Sequence, residues 1–224
     1  MKAYTVFISI TLSICFTFFA CSEYLEENDI PRLTIDYYKT QPGIEAATIA
    51  AYGYMRPAAG AGGVAVFNIL TEHGNDLITC GDSDGELAFN YYTSALRPSL
   101  DHLYKLWSSY YKGINAVNLV LYESQNSTSI TNAQKQMAKA EMSFIRAYFY
   151  FDLVQQFGKI PLVLDASYEV RTDFQRSPVA DIYKQIIEDL TFAAKYLREP
   201  SSGNAGRATR YSAAHLLSKV YLTR

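Results

Sequence analysis

The residues from Ala138 to Leu162 constrain the fold more than any other stretch of this chain. Gly158 is a typical residue at a helix C-terminus, and Pro161 cannot continue a helix because it lacks a backbone N–H. Before them, apolar residues recur every three or four positions, which places them on one helix face: Met137, Ala140, Phe144, Ala147 or Tyr148, Phe151 and Val154. The stretch therefore predicts one long amphipathic helix that ends at Gly158.

Similar segments lie on both sides of this helix, and short polar stretches separate them. Thr131 and Gln134 have the spacing of a capping box at its start. Three other helices are predicted to begin at residues that favour a helix N-terminus: Ser99, Ser177 with Pro178, and Thr209. Small residues recur where helices can approach closely. We therefore predict an all-α fold with helical hairpins of tetratricopeptide type from Ser99 onward.

The last predicted helix has an apolar stripe that would lack a partner: Leu216, Leu217, Val220 and Tyr221. An exposed stripe is expected if the helix is the first half of an unfinished hairpin. We therefore interpret the chain as an N-terminal fragment of a longer protein.

The part of the chain before these hairpins is less periodic. Pro42 can open a helix, and Pro57 with the Gly-rich run after it ends that helix. Residues 71–98 are rich in Gly, Asp, Asn and Tyr, which is the composition of a loop.

Residues 1–20 have the features of a signal peptide. Lys2 supplies a positive charge, an apolar run follows, and Cys21 comes directly after it. A Cys at this boundary is typical of a bacterial lipobox, so we expect residues 1–20 to be removed and Cys21 to carry a lipid anchor. The alternative is an ordinary signal peptide or membrane anchor with an incidental Cys. The polar residues 21–33 would then form an acidic tether.

The composition argues against several classes of function. The formal net charge of −2 gives no basic field for nucleic acid. The Gly-rich run lacks the Lys-Ser/Thr of a phosphate-binding loop, and no spacing of a metal site connects His73, His102 and His215. No pair of carboxylates is placed for glycoside hydrolysis. Only Cys80 would remain beside the lipidated Cys21, so we predict no intramolecular disulfide. From the missing motifs we also predict no catalytic residue and no metal or cofactor site.

Four segments carry distinctive patterns in a fixed order. They are Trp107-x-x-Tyr110-Tyr111-x-x-Ile114-Asn115-x-x-Asn118; Ala140-Glu141 through Pro161; Arg176-Ser177-Pro178-Val179 with Ile182-Tyr183-x-x-Ile186-Ile187-x-Asp189-Leu190; and Gly206-Arg207-Ala208-Thr209 with Ala213-Ala214-x-Leu216-Leu217-x-x-Val220-Tyr221-Leu222. In this order they resemble the RagB/SusD family, whose members are outer-membrane lipoproteins for nutrient uptake. Together with the lipoprotein start, the resemblance spans essentially the whole chain.

The resemblance implies a SusD-like α/α superhelix over residues 34–224, held at the cell outer membrane through Cys21. The acidic tether resembles a surface-export signal, which favours the outer face of that membrane. The resemblance also implies a role in polysaccharide utilisation: the protein would bind an oligosaccharide or similar nutrient and deliver it, without chemistry, to a SusC-like TonB-dependent transporter. The alternative is a tetratricopeptide scaffold without a glycan site, which contacts the transporter or another protein. A glycan-processing enzyme is a third class, against which the lack of a placed carboxylate pair argues.

The blocks that carry the resemblance imply structure rather than a ligand site, so Arg146, Asp152 and Arg207 are expected to make structural ion pairs or helix-end bonds. In this family, ligand contacts come from variable loops, many of them in a C-terminal half that the chain would lack. The candidate ligand residues of this chain lie in the 71–98 loop: Asp76, Asp82, Asp84, Asn90, Tyr91 and Tyr92. Carboxylates and amides can hydrogen-bond sugar hydroxyls, and tyrosine rings can stack on a pyranose. The alternative is a solvated loop whose tyrosines pack on the first hairpin.

Overall fold

The computed structural model describes residues 35–56, 64–79, 84–201, 203 and 205–224. Over these ranges the chain is helical and has no β-strand, which confirms the all-α prediction. A short 3₁₀-helix at Ile35–Lys39 comes first. The α-helices that follow are α1 Gln41–Gly53, α2 Val64–Glu72, α3 Asp84–Tyr91, α4 Asp101–Asn126, α5 Asn132–Phe157, α6 Val179–Tyr196 and α7 Arg210–Thr223.

Several predicted features lie outside the described residues and stay predictions. They are the signal peptide at residues 1–20, the acidic tether with Cys21 at residues 21–33, the helix break at Pro57, the lone Cys80 and the candidate ligand residue Asp82.

The long helix predicted from the sequence is α5, the central helix of the fold. Its capping box is present: the Thr131 N–H donates to Gln134 Oε1 (2.8 Å), and the Gln134 N–H donates to Thr131 Oγ1 (3.3 Å). It ends at Gly158, whose φ of 67° favours a residue without Cβ. From residue 140 to residue 151 every position except Tyr148 is buried, because both α4 and α6 pack against this helix. The single apolar face that was predicted is therefore too narrow.

Consecutive helices pack side by side from α4 to α7, as expected for helical hairpins. α1 lies against both α4 and α5, and α2 lies against α4. α4 packs tightly on α5 at Gly113, where an added Cβ would lie 2.6 Å from Cε2 of the fully buried Phe149. A glycine is needed there because any side chain would have to displace that ring.

Two of the predicted N-caps, Ser99 and Ser177, are wrong. Leu100 precedes α4 and Pro178 precedes α6, and no side-chain capping bond forms at either position. The Ser177 N–H instead donates to Ile160 O (2.8 Å), just after the end of α5. This tertiary hydrogen bond holds the backbone of Ser177 outside the helix. The cap at Thr209 is confirmed, because its Oγ1 accepts from the Ser212 N–H (3.3 Å).

The interpretation of residues 71–98 as a continuous loop is also wrong, because α3 forms inside it. This helix has only 8 residues, of which Ala88 is fully buried. Eight residues are too few for a clear helical period, so the sequence pattern could not reveal it.

The apolar stripe of α7 is largely covered rather than exposed. Leu216 and Val220 are buried, since α7 packs on α6, and Leu217 is half-buried. Only Tyr221 of the predicted stripe is exposed, at 56%. The expected exposure of Leu216 and Val220 is therefore wrong.

A buried ion pair connects the three longest of the described helices. Arg146 of α5 donates from Nε and Nη2 to the two carboxylate oxygens of Asp189 in α6, at 2.8 Å each. Its Nη1 donates to Asn118 Oδ1 in α4 (3.0 Å). The pair is almost completely shielded from solvent, since the two side chains are 10% and 5% exposed. These contacts agree with the structural role expected for Arg146.

We expect Arg146→Met to lower the free energy of unfolding by about 3–5 kcal/mol, because it leaves the Asp189 carboxylate buried without its partner. The double variant Arg146→Met/Asp189→Leu should lose less stability than the single variant, since it buries no unpaired charge. Urea denaturation followed by circular dichroism measures both. Arg171→Met, which removes an exposed ion pair, is the control and should leave stability nearly unchanged. An Arg146→Met protein as stable as its parent would contradict this account.

Candidate functional site

The segment between α5 and α6, residues 158–178, has neither helix nor strand and lies against α4; we call it the connector. Tyr111, Asn115 and Asn118 are three or four residues apart, so they project from one side of α4. Each donates to a connector carbonyl: Tyr111 Oη to Pro161 O (2.8 Å), Asn118 Nδ2 to Val163 O (2.9 Å) and Asn115 Nδ2 to Ser167 O (3.1 Å). Side chains thus satisfy backbone groups that a helix or strand would otherwise pair.

Two further tyrosines attach the connector to the helices. Tyr150 Oη of α5 donates to Val163 O (2.8 Å) and accepts from the Val163 N–H (2.7 Å). Tyr168 Oη of the connector donates to Glu123 Oε1 of α4 (2.6 Å). These bonds fix residues 161–168 of the connector, although this part has no regular structure.

A cleft of about 360 Å³ opens between α4 and the connector. Most of its lining is aromatic or apolar: Trp107, Tyr111, Ile114, Pro161, Val163 and Phe174. The polar lining residues are Asn115, Ser167, Glu169 and Arg171. An apolar floor with a few polar groups is the usual character of a small-molecule site, and we call this site the connector cleft.

Trp107 also borders a second, wider hollow of about 590 Å³, whose other walls include Arg97, Tyr104 and Gln156. The indole is held by its neighbours: the ring of Tyr111 is 4.8 Å away between centroids, and the ring of Phe157 is edge-on at 5.1 Å. The sequence pattern did not predict a site here, because the path of the connector cannot be read from it. The signal that points to this site is the pair of aromatic residues four positions apart on one helix.

The predicted ligand residues Tyr91 and Tyr92 are exposed, at 62% and 69%, rather than packed on the first hairpin. Tyr92 Oη donates to Gly74 O (3.1 Å). Tyr91 Oη and Asn90 Nδ2 each lie 3.4 Å from Thr79 Oγ1. These contacts hold the hydroxyl ends and leave the rings open to solvent. We call this region the tyrosine surface: residues 74–79, Asn90, Tyr91 and Tyr92.

Of the three carboxylates predicted with these tyrosines, the structure describes the side chain of Asp76 alone. Asp76 is exposed on the tyrosine surface. Asp84 is the first residue of α3, but its side chain lies outside the described part of the chain, as does all of Asp82. The contribution of the carboxylates to binding therefore stays a prediction.

Arg207 makes ion pairs within the helical fold. It donates from Nε to Glu141 Oε1 (3.0 Å) and from Nη2 to Glu141 Oε2 (2.6 Å), and it also pairs with Glu45 of α1. The turn before α7 is therefore attached to both α5 and α1, as expected for a structural residue.

The carboxyl of the half-buried Asp152 in α5 accepts a hydrogen bond from Tyr110 Oη (2.9 Å). Burial raises the pKa of Asp152 to about 6, although hydrogen bonds from Tyr110 and Tyr148 act in the opposite direction. A raised carboxyl pKa can mark a functional site, but Asp152 borders neither the connector cleft nor the second hollow. Its contacts favour the structural role that was expected.

Among the described residues, no group of three or more His, Cys, Asp or Glu is placed to hold a metal ion. Within the same ranges, no helix is both long enough and apolar enough to cross a membrane.

The greater part of the chain matches one protein family. A family model for SusD-like proteins, described as starch-binding and associating with the outer membrane, covers residues 72–222. The chain therefore belongs to the SusD-like family, which confirms the resemblance seen in its four sequence blocks.

Individual SusD-like proteins agree with this assignment. A SusD-like protein of Bacteroides ovatus is 33% identical over 129 residues, which are 55% of this chain and 23% of that protein. A laminarin-binding SusD-like protein superposes with a TM-score of 0.71 at 26% identity, over 82% of this chain and 40% of its own. A crystal structure with a xylogluco-oligosaccharide superposes with a TM-score of 0.65 at 27% identity, over 81% and 35% of the two chains. The chain thus spans less than half the length of these proteins.

We expect the pH dependence of stability to differ between the parent protein and Asp152→Asn. The folded protein holds the Asp152 proton up to a pH of about 6, whereas the unfolded chain releases it near the ordinary pKa of 3.8. The stabilising contribution of this proton is complete below about pH 4 and is lost as the pH rises through 6, by up to about 3 kcal/mol. Asparagine does not titrate, so the stability of the variant relative to the parent should increase over this interval. Urea unfolding at several pH values between 4 and 7 measures the difference.

Asp173 provides a control, because its pKa is shifted in the opposite direction to that of Asp152. It is exposed, and the bond from Arg171 lowers its pKa, so any contribution it makes is lost as the pH falls rather than as it rises. Asp173→Asn should not reproduce the divergence. Parallel pH profiles for the parent and Asp152→Asn would contradict the prediction.

Proposed function

We propose that this protein is a surface lipoprotein of the outer membrane that binds a glycan or similar nutrient and passes it to a SusC-like TonB-dependent transporter. Membership of the SusD-like family supports the class of function. The glycans named for two similar structures, laminarin and a xylogluco-oligosaccharide, support the class of ligand. In this proposal residues 1–20 are the signal peptide, residues 21–33 the tether and residues 34–224 the N-terminal helical domain of the binding protein. Capture and transfer include no chemical step.

The tyrosine surface is the observation that carries the glycan-binding part of the proposal. Tyr91 and Tyr92 are each more than half exposed, and their hydroxyls contact Thr79 and Gly74. A pyranose has an apolar face that packs on such a ring. Because the rings are already oriented, binding costs less conformational entropy than it would with free side chains.

Polar groups next to the two rings supply the other half of a sugar site. The Thr79 hydroxyl and the Asn90 amide lie beside the rings, and the carboxylate of Asp76 is exposed on the adjoining segment. Sugar hydroxyls both donate and accept hydrogen bonds, so a mixed set of donors and acceptors suits them. We propose that Asp82 and Asp84 contribute further acceptors.

We expect Tyr91→Ala and Tyr92→Ala each to weaken glycan binding by up to about tenfold, since one aromatic contact contributes about 0.5–1.5 kcal/mol. Affinity electrophoresis in gels that contain laminarin or xyloglucan measures the change. Tyr122→Ala is the matched control, because Tyr122 is 55% exposed but lies near the C-terminus of α4, outside the tyrosine surface.

Each other outcome has a defined meaning. Glycan binding that survives the loss of both rings would show that the site lies elsewhere. A protein that co-purifies with the transporter but binds no glycan would favour the tetratricopeptide scaffold. Turnover of a bound glycan would contradict both functions.

We expect Cys21→Ala to release the protein from the membrane, because each buried methylene of an acyl chain contributes about 0.8 kcal/mol to membrane binding. Membrane fractionation of cells that express the parent and the variant checks this. Cys80→Ala keeps Cys21 and is the control, which should stay with the membrane fraction. If Cys21→Ala sediments with the membrane as the parent does, the proposed anchor is wrong.

A further inference from the structure

The connector cleft is formed by residues other than those of the tyrosine surface, and none of the four predicted ligand residues whose side chains the structure describes, Asp76, Asn90, Tyr91 and Tyr92, lines it. We propose that it is a second carbohydrate-binding site, in which a pyranose ring packs on Trp107. The choice of ligand class rests on the proposed function, whereas the existence of the site rests on the geometry of the cleft alone.

Trp107 forms a fixed aromatic platform. Tyr111 and Phe157 contact its ring at 4.8 Å and 5.1 Å between centroids, so the indole is oriented before a ligand arrives. It remains half-buried rather than buried, and it borders the cleft. A large ring that is oriented and still open on one side is what a stacked sugar requires.

The rim of the cleft offers both kinds of hydrogen-bonding group. The Asn115 amide already bonds to the backbone of Ser167, so these two residues are not counted among the groups that bind a ligand. The Glu169 carboxylate makes no ion pair with any described residue and is available as an acceptor. Arg171 uses Nε and Nη2 for Asp173, at 3.0 Å each, which leaves three of the five guanidinium N–H groups as donors.

Phe174 completes the connector side of the cleft. Its ring is 41% exposed, and the Arg171 guanidinium lies over it at 4.8 Å. The connector therefore presents an aromatic ring and a cation together, across from the tryptophan platform of α4. The volume of about 360 Å³ is within the range of small-molecule sites.

A proline-rich peptide is the other ligand that binds in aromatic clefts. Such a peptide supplies carbonyl acceptors but few backbone N–H donors, so it would offer the exposed Glu169 carboxylate few hydrogen bonds. Sugar hydroxyls can donate to Glu169 and accept from Arg171 at the same time. The rim chemistry therefore favours a carbohydrate.

The chain contains a single tryptophan, so its indole fluorescence reports on Trp107. Trp107 borders both the connector cleft and the second hollow, but Glu169 and Phe174 line only the cleft, so variants at these two positions assign the response. We expect laminarihexaose, maltohexaose or a xylogluco-oligosaccharide to shift the Trp107 emission and to protect it from acrylamide quenching. Phe174→Ala and Glu169→Gln should each weaken that response by about fivefold to tenfold. Val170→Ala is the matched control, since Val170 lies between Glu169 and Arg171 but is 96% exposed and does not line the cleft.

Calorimetry on the same protein separates the two sites. The double variant Tyr91→Ala/Tyr92→Ala should retain the Trp107 response, which supports a separate site. If calorimetry detects glycan binding while the Trp107 emission stays constant at saturation, the second site is wrong and the proposed function stands. Loss of the Trp107 response in the double tyrosine variant would show one site only and overturn the inference. A response to polyproline but to no glycan, or no response to any of these ligands, would overturn it as well.

Discussion

The guanidinium of Arg146 lies where three helices meet, and its charge must be satisfied without water. Removing such a group from solvent costs several kcal/mol, which is offset only if acceptors are placed correctly around it. α6 supplies the Asp189 carboxylate, and α4 supplies the amide oxygen of Asn118. The N–H group of that same amide holds the Val163 carbonyl. One chain of bonds thus sets the packing of α4, α5 and α6, the path of the connector and the walls of the connector cleft.

Local signals in the sequence predicted those features of the fold that are decided locally. Thr131 with Gln134 and Gly158 mark the ends of α5 correctly, because a capping box and a positive φ involve only neighbouring residues. Ser177 failed as a cap because its backbone is bound by Ile160, which the sequence pattern does not show. The stripe of α7 was predicted correctly as apolar, but its cover by α6 depends on tertiary packing.

The same difference between local signals and tertiary packing separates the two candidate sites, the tyrosine surface and the connector cleft. The composition of residues 71–98 predicted Tyr91 and Tyr92 as ligand residues, and the structure places both in solvent, Tyr91 as the last residue of α3. Whether they bind a ligand stays a prediction. The connector cleft could not be found like this. Trp107 and Phe174 are far apart in the chain, and they border one cleft only because the polar side chains of α4 bind the connector.

The helices hold the connector largely by its backbone, and a carbonyl oxygen is the same whichever residue carries it. Glu169, Arg171 and Phe174 lie between the carbonyls held at residues 161–167 and the Ser177 N–H, which donates to Ile160 O, so these three side chains can change without removing any of those bonds. Helix side chains determine the path of the connector, whereas the side chains of the connector itself can vary. A fold organised like this can acquire new ligand preferences by substitution in one short stretch, with little loss of stability.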